Sequence, residues 1–454
     1  MKKFLALTMA AVMTAGLMTG CGSAAESEGT AASTETSVGT ENAEEKGNET
    51  ADNASEEEVS ITFGFWGDTA EAEMKQELAN KYMAEHPNVK IEFEFTDGAG
   101  YLTKMQTWFS SNTLPDVFGL ANDHFYAYKG NEQFEDLAPY IEKDGLASGW
   151  DMDGLKATFG EESGRIIAAP FLSKTFAMAY NKNLFDQAGV AYPTDDWTEA
   201  DMLAAAEKIT ALSSDSSKIY GLRWGVRPPE FYRNLYGNMM YDLNTYEMNA
   251  ANNEEFKKAV SLFADTVKSG LAPDETAGAV STGGFETGMY GMQLSATWDI
   301  ATFQKMIGDS FAWDVVMLPL NEDFNTRMLT TLRSNGWSMS ASAKNKEVCW
   351  DFIKYLSISE DAAKATQNFG IPSLLSYAGS EEYLNDFGGG TAYDKGVFSR
   401  MIEFSTPFNN LGAFAEVNDA VKAEYELLLA GKNTIDEMIA NCQKQGESIL
   451  SAAK

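Results

Sequence analysis

The chain has 454 residues, 67 of them acidic and 34 basic, for a formal net charge of −33. Such an excess of carboxylates argues against nucleic acid or an anionic membrane surface as partner, and it favours solubility. Only His86, His124 and three cysteines are present, none in metal-ligand spacing, so neither a structural zinc nor a cofactor is expected.

Met1-Lys-Lys-Phe is followed by an apolar run from Leu5 to Met18, which is too short to span a bilayer and reads as a secretion signal. Its end, Leu17-Met-Thr-Gly-Cys21-Gly, resembles a bacterial lipoprotein signal. Residues 1–21 are therefore expected to be signal peptide and lipobox, with lipidated Cys21 as the mature N-terminus; Met18 stands where leucine is usual. Residues 22–58 are small, polar and acidic, with Lys46 the only basic residue and no aromatic. They cannot bury enough apolar surface to offset their ordering entropy, and they are expected to form a disordered acidic tether. A lipid anchor with a long acidic leash resembles the Gram-positive arrangement. It would hold a globular body at the extracellular face of the cell membrane.

The roughly 400 residues from Val59 onward are too many for one core and imply two lobes. Val59, Ile61, Phe63 and Phe65 alternate as a strand, and Met74, Leu78 and Tyr82 mark a helix face. His86-Pro87 stops that helix, and Val89, Ile91, Phe93 and Phe95 alternate again. Gly98-Ala-Gly100 turns the chain into a helix with Leu102, Met105 and Phe109 inward, and Leu114–Leu120 reads as a third strand. This β-α-β-α-β order is a doubly wound α/β beginning. Further on, Asn181–Gly189 reads as a strand exit into a short helix, and Thr198 or Asp196 is an N-cap for the next. Glu254–Ser269 is amphipathic and stopped by Gly270. Gly288 ends another helical stretch. Tyr290–Thr297 suits a buried strand, Asp299–Ile307 a helix, and Trp313–Leu320 a strand. Cys349 and Cys442 lie in helical patterns and read as two buried thiols; a disulfide is allowed but not indicated.

Trp298 thus falls at a strand-to-helix junction, where an indole can serve as a stacking platform or simply plug the core. Its setting, Phe285-x-x-Gly288-x-x-x-Met292 and then Trp298, resembles the segment carrying a sugar-stacking tryptophan in the family 1 extracellular solute-binding proteins. These are the maltose-binding-protein-like lipoproteins that serve sugar ABC importers. Trp66-Gly-Asp68, Glu85–Glu92, Leu114-Pro-Asp116-Val, Gly164–Pro170, Ala179–Gly189 and Asn345–Leu356 match the family in order and spacing. The resemblance covers nearly everything after Val59. It implies an α/β fold of two doubly wound lobes joined by a hinge, with the ligand cleft between them (periplasmic-binding-protein-like type II). Residues 59–171 and 333–376 would form the N-terminal lobe, and 172–332 and 377–454 the C-terminal lobe.

The resemblance also implies ligand contacts. Trp66 and Asp68 follow the first strand, with Asp68 either receiving sugar hydroxyls or capping the helix near Thr69. Asp123 is the carboxylate candidate in Asn122-Asp-His124, and His124 reads as a surface histidine. Lys174 stands where the maltose-binding member has a ligand-facing carboxylate. In the loop Arg227–Arg233, Tyr232 offers a second platform and Arg233 paired hydrogen bonds. Near Thr330 to Gly336, where the resemblance implies that the chain recrosses between the lobes, Gly336 would allow close approach, and Trp337 faces either core or cleft.

The function implied is capture of a carbohydrate, an oligosaccharide, by hinge closure, and its delivery to the permease subunits of an ABC importer by a monomeric protein that performs no catalysis. Pyranose rings offer C–H faces for stacking and hydroxyl edges for Asp, Asn and Arg. An exported glycosidase would need a carboxylate pair that no spacing marks, and there is no Gly-x-Ser-x-Gly, His-Glu-x-x-His or phosphate loop. A polyamine or peptide ligand on the same fold is the other alternative, since Asp68 and Asp123 tolerate a cation.

Overall fold

A computed structural model describes residues 58–453 apart from 215–216, 225–230, 232, 276–282, 389 and 408–411. The described residues belong to one compact unit. Cys21 and the expected tether up to residue 57 lie outside them. None of the described helices is long and apolar enough to cross a membrane.

The described strands, in chain order, are β1 (Val59–Trp66), β2 (Val89–Thr96), β3 (Val117–Ala121), β4 (Ala169–Lys174), β5 (Phe176–Asn181), β6 (Tyr220–Arg223), β7 (Tyr241–Asp242), β8 (Glu247–Met248), β9 (Tyr290–Ala296), β10 (Trp313–Val316), β11 (Leu320–Asn321), β12 (Thr326–Arg327), β13 (Thr330–Met339), β14 (Ile371–Pro372) and β15 (Ser405–Pro407). Two sheets matter for function. The first runs β14-β4-β13-β3-β1-β2, with β15 beside the start of β13; the second runs β10-β5-β9-β6. Each anchors its own core. Phe63, Phe65, Tyr82 and Phe352 belong to the first, and Met178, Leu222, Phe263 and Met292 to the second. This is the two-lobed α/β architecture that the residue pattern implies.

Local chemistry sets the elements of the first lobe. Helix α1 (Thr69–Glu85) begins where the Asp68 carboxylate accepts the Glu71 N–H, and it ends at His86 before Pro87. Helix α2 (Gly98–Ser111) starts on Asp97, which accepts from Gly100 N, and stops at Asn112 in the left-handed region (φ 57°). These two helices carry the chain between β1, β2 and β3, which are mutually parallel. The third strand, Val117–Ala121, starts later than the expected Leu114–Leu120. Pro115 has no N–H to give, and the Asp116 carboxylate takes both the N–H and hydroxyl of Thr62 in place of a backbone ladder. Trp313–Leu320 is likewise cut at Val316. There Met317 turns its carbonyl to the Trp197 indole (2.8 Å), and Pro319 follows. Phe285–Thr287 is a single 3₁₀ turn ended by Gly288 at φ 74°. Thr198, not Asp196, caps Glu199–Thr210, in a capping box with Asp201.

Two places join the sheets. Only Thr175 separates β4 from β5, and its hydroxyl donates to the Phe398 carbonyl at 2.8 Å. Strand β13 pairs through Thr330–Leu332 with β15, then runs antiparallel between β4 and β3 as far as Met339. Cys349 and Cys442 are free thiols buried in the first and second cores respectively. Burial pushes each thiol up to about 12.

Candidate functional site

The carboxyl ends of β1, β3, β4 and β9 and the first half of β13 converge on a cavity of about 300 Å³. Trp66 is the last residue of β1, and Lys174 the last of β4. Asn122, Asp123 and His124 form the first turn of α3 (Asn122–Tyr128), directly after β3. Arg333 and Asn335 enter from β13, and Trp298 from the turn after β9; all line the cavity. Strand ends are where an open α/β sheet leaves room for a ligand, because the connecting helices splay apart there.

Trp298 is 38% exposed. Its ring stands edge-on to Phe176 (5.2 Å, 80°), which anchors it to the second core while the indole remains open to solvent. The Lys174 ammonium lies 5.8 Å and the Arg333 guanidinium 6.0 Å from its ring centroid. Beneath it, Asp299 holds the turn by accepting the Ala296 N–H at 2.9 Å. Burial raises the Asp299 carboxyl above its ordinary value, against that hydrogen bond and the charge of Arg223.

The opposite wall belongs to the first lobe. Trp66 leans on Tyr101 (4.7 Å) and on His124 (6.4 Å). It can lie there because Gly119 has no side chain: a Cβ would come 2.4 Å from the indole Cζ3. Asn122 is a strut, giving its amide to Leu332 O (2.8 Å) and accepting from Ser334 N (3.1 Å). Asp123 Oδ1 stands 3.7 Å from His124 Nε2. That oxygen and His124 Nδ1 are buried with no hydrogen-bond partner among the described residues. A ligand hydroxyl can satisfy Asp123 Oδ1, since an unpaired buried acceptor costs about 1–3 kcal/mol.

A charge triad links the cavity wall to the core: Lys174 lines the cavity, and Glu71 and Lys75 are buried behind it. The Lys75 ammonium donates to Trp66 O at 2.5 Å, and Glu71 Oε1 is 3.6 Å from Lys75 and 3.8 Å from Lys174. Burial draws Lys75 down to about 8; Glu71 resists that shift and Lys174 adds to it.

Four of the residues anticipated from the sequence, Trp66, Asp123, Lys174 and Trp298, meet at this cavity. Others do not. Asp68 is the N-cap of α1 and spends its carboxylate on Glu71 N. Arg233 is fully buried, with Nη2 donating to Pro407 O at 3.2 Å. Gly336 does permit close approach, but to β4: a Cβ there would stand 2.6 Å from Ala169 O. Trp337 is 2% exposed and packed between Phe63 and Phe171, which makes it core. Tyr232 lies outside the described residues. His124, read as a surface histidine, instead lines the cavity, as do Tyr101, Arg333 and Asn335. Alternation along β13 puts Arg333, Asn335 and Trp337 on one face. Their depth along that face separates the first two from the third.

A larger cavity of about 560 Å³ opens around Leu332 and Ser334, the alternate residues of β13, among Leu155, Phe159, Ile371 and Ile402. It has no exposed aromatic platform, and its Asp151 carboxylate already caps the helix Met152–Phe159. Among the described residues no cluster of His, Cys, Asp or Glu could hold a metal ion.

Residues 77–387 match the family model for bacterial extracellular solute-binding proteins. The lactose-binding protein of Rhizobium radiobacter is 21% identical over 400 residues, covering 85% of this chain and 92% of that one. Among solved structures, the sugar-binding protein MalE of Xanthomonas citri is similar, with a TM-score of 0.75 at 19% identity over 87% of this chain and 98% of that one. An ABC substrate-binding protein of Listeria monocytogenes in complex with cycloalternan gives 0.71 at 24% identity, over 87% and 100%. The solved structures share the two-lobed fold, and the family match spans well over half of the sequence: this chain belongs to the bacterial extracellular solute-binding proteins.

Proposed function

We propose that this protein is the carbohydrate receptor of an ABC importer: it closes its lobes on an oligosaccharide and presents it to the permease. The observation that carries this reading is the exposed Trp298 indole facing a wall of polar side chains across one cavity. Apolar sugar faces suit the indole, and hydroxyl edges suit Asp123 and Asn335. The lactose-binding and cycloalternan-bound relatives support the sugar class. A polyamine is disfavoured by the two cationic side chains beside Trp298.

In this reading the lobes are residues 59–174 with 333–376, and 176–332 with 377–454, turning about the crossings at Thr175 and β13; the boundary expected between residues 171 and 172 shifts because β4 stays in the first sheet as far as Lys174. Ligand stabilises the closed form by the affinity it gains there over the open form. The protein works as a monomer, performs no catalysis, and is held at the extracellular face of the cell membrane by lipid on Cys21.

A thermal-shift screen over oligosaccharides, polyamines and peptides tests the ligand class. A sugar should raise the unfolding midpoint and shrink the scattering profile of the protein. A rise with polyamines or peptides alone would refute the sugar reading. Membrane release of the Cys21→Ser variant tests the anchor.

A further inference from the structure

We propose that the sugar unit stacked on Trp298 carries a negative charge, a carboxylate or a phosphate, docked against Lys174. This rests on the carbohydrate reading of the same cavity and narrows it.

Lys174 and Arg333 both stand at cation–π distance from the Trp298 ring, 5.8 and 6.0 Å from its centroid. Arg333 makes further contacts of its own, so Lys174 carries the case. Its ion pair with Glu71 is long, 3.8 Å, and Glu71 is also engaged at 3.6 Å by Lys75, which is 1% exposed. One carboxylate between two ammonium groups leaves a positive charge over. Asp68 also acts on Lys75, but from the exposed start of α1, where water screens its charge. Asp123 is beside His124, on the turn after β3. The cavity therefore has a cationic side, Lys174 and Arg333 beside the Trp298 ring, and a carboxylate at Asp123.

An open cleft tolerates this, because water solvates the ammonium. Closing the lobes removes that water, and a desolvated charge without a counter-charge is costly. A neutral pyranose on Trp298 would leave the Lys174 charge to be buried with only a long pair to Glu71, which Lys75 shares. A uronate or sugar phosphate brings the missing anion, while its hydroxyl edge remains free for Asp123. The carboxylate of Asp123 repels that anion and so fixes which way round the ring lies.

Calorimetric titration of the full chain tests this with matched probes: uronate-containing disaccharides, their neutral hexose twins, and hexose phosphates. The anionic member should bind at least about tenfold more tightly than its twin. That preference should fall as salt rises from about 20 to about 300 mM. Lys174→Gln should collapse the ratio toward one while Lys174→Arg keeps it, with unfolding midpoints recorded for both. The salt series needs no variant, so it decides the matter even if Lys174→Gln folds poorly. Carboxylate and phosphate probes distinguish the two sources of charge. Neutral sugars binding as tightly as their anionic twins would overturn the proposal and leave the sugar reading standing. Binding of peptides or polyamines with no sugar bound would overturn both.

Discussion

Two tryptophans, each with a lysine beside it, show how position divides one chemistry into two roles. Trp337 is sealed between Phe63 and Phe171, with the Lys75 ammonium 5.9 Å from its ring. Trp298 stands open at the end of β9, with Lys174 at 5.8 Å. The same carboxylate, Glu71, links the two lysines. Packing atoms surround the first indole on all sides, so its contribution is to folding. The second has one edge held by Phe176 and a face left for something else. A cation buried beside a core ring is structural; a cation beside an exposed ring is available to a ligand.

The sharpest way to break this comparison is to remove each ring. Trp337→Ala should lower stability by about 3–5 kcal/mol, the usual result of emptying a packed aromatic site, and denaturant unfolding measures it. A loss below about 1 kcal/mol would place Trp337 outside the core. Trp298→Ala should leave the unfolding midpoint nearly in place and weaken sugar binding by roughly 2 kcal/mol or more, well over tenfold in affinity. A lowered midpoint with unchanged affinity would reverse the assignment of the two rings.

The lysines give a smaller, pH-dependent contrast. Lys75 is held at about 8 in the folded protein against an ordinary 10.5. Between those values the unfolded chain binds more protons, so this group makes stability rise with pH through that window; below about 8 it is charged in both states and contributes no slope. Unfolding of wild type and Lys75→Met compared from pH 7 to 10 should show the difference moving in favour of wild type. A flat difference would mean that Lys75 is better solvated than its position beside Trp337 implies.

How far the sequence foretells this arrangement depends on the range of the interaction. The helix Asp299–Ile307 is legible from its own periodicity and matches residue for residue. The β1-α1-β2-α2-β3 order is equally local. By contrast, β13 lies between β3 and β4, strands far from it in the chain, and nothing within Thr330–Met339 says so. That pairing decides that Trp337 is covered while Arg333 and Asn335 reach the cavity. Asp68 and Arg233 have side chains suited to a ligand, but their carboxylate and guanidinium are spent on Glu71 N and Pro407 O. Residue type reveals what a group can bind; only three-dimensional context reveals whether it is already engaged.

The place of β13 also bears on the order in which the molecule can be completed during synthesis. Strands β1 to β4 leave the ribosome early, yet β3 and β4 have no direct partnership; β13 is the strand that joins them. It emerges only after β5, β6, β9 and β10 have all been made. Until then the first sheet exists as two fragments with unpaired edges, the condition that invites mispairing and slow, non-local folding. The second lobe's sheet can close first, although its sequence begins later. A fragment ending at Thr175 holds every residue of β1 to β4 and still lacks the strand that makes them one sheet, so the sheet that starts the chain is finished after the other.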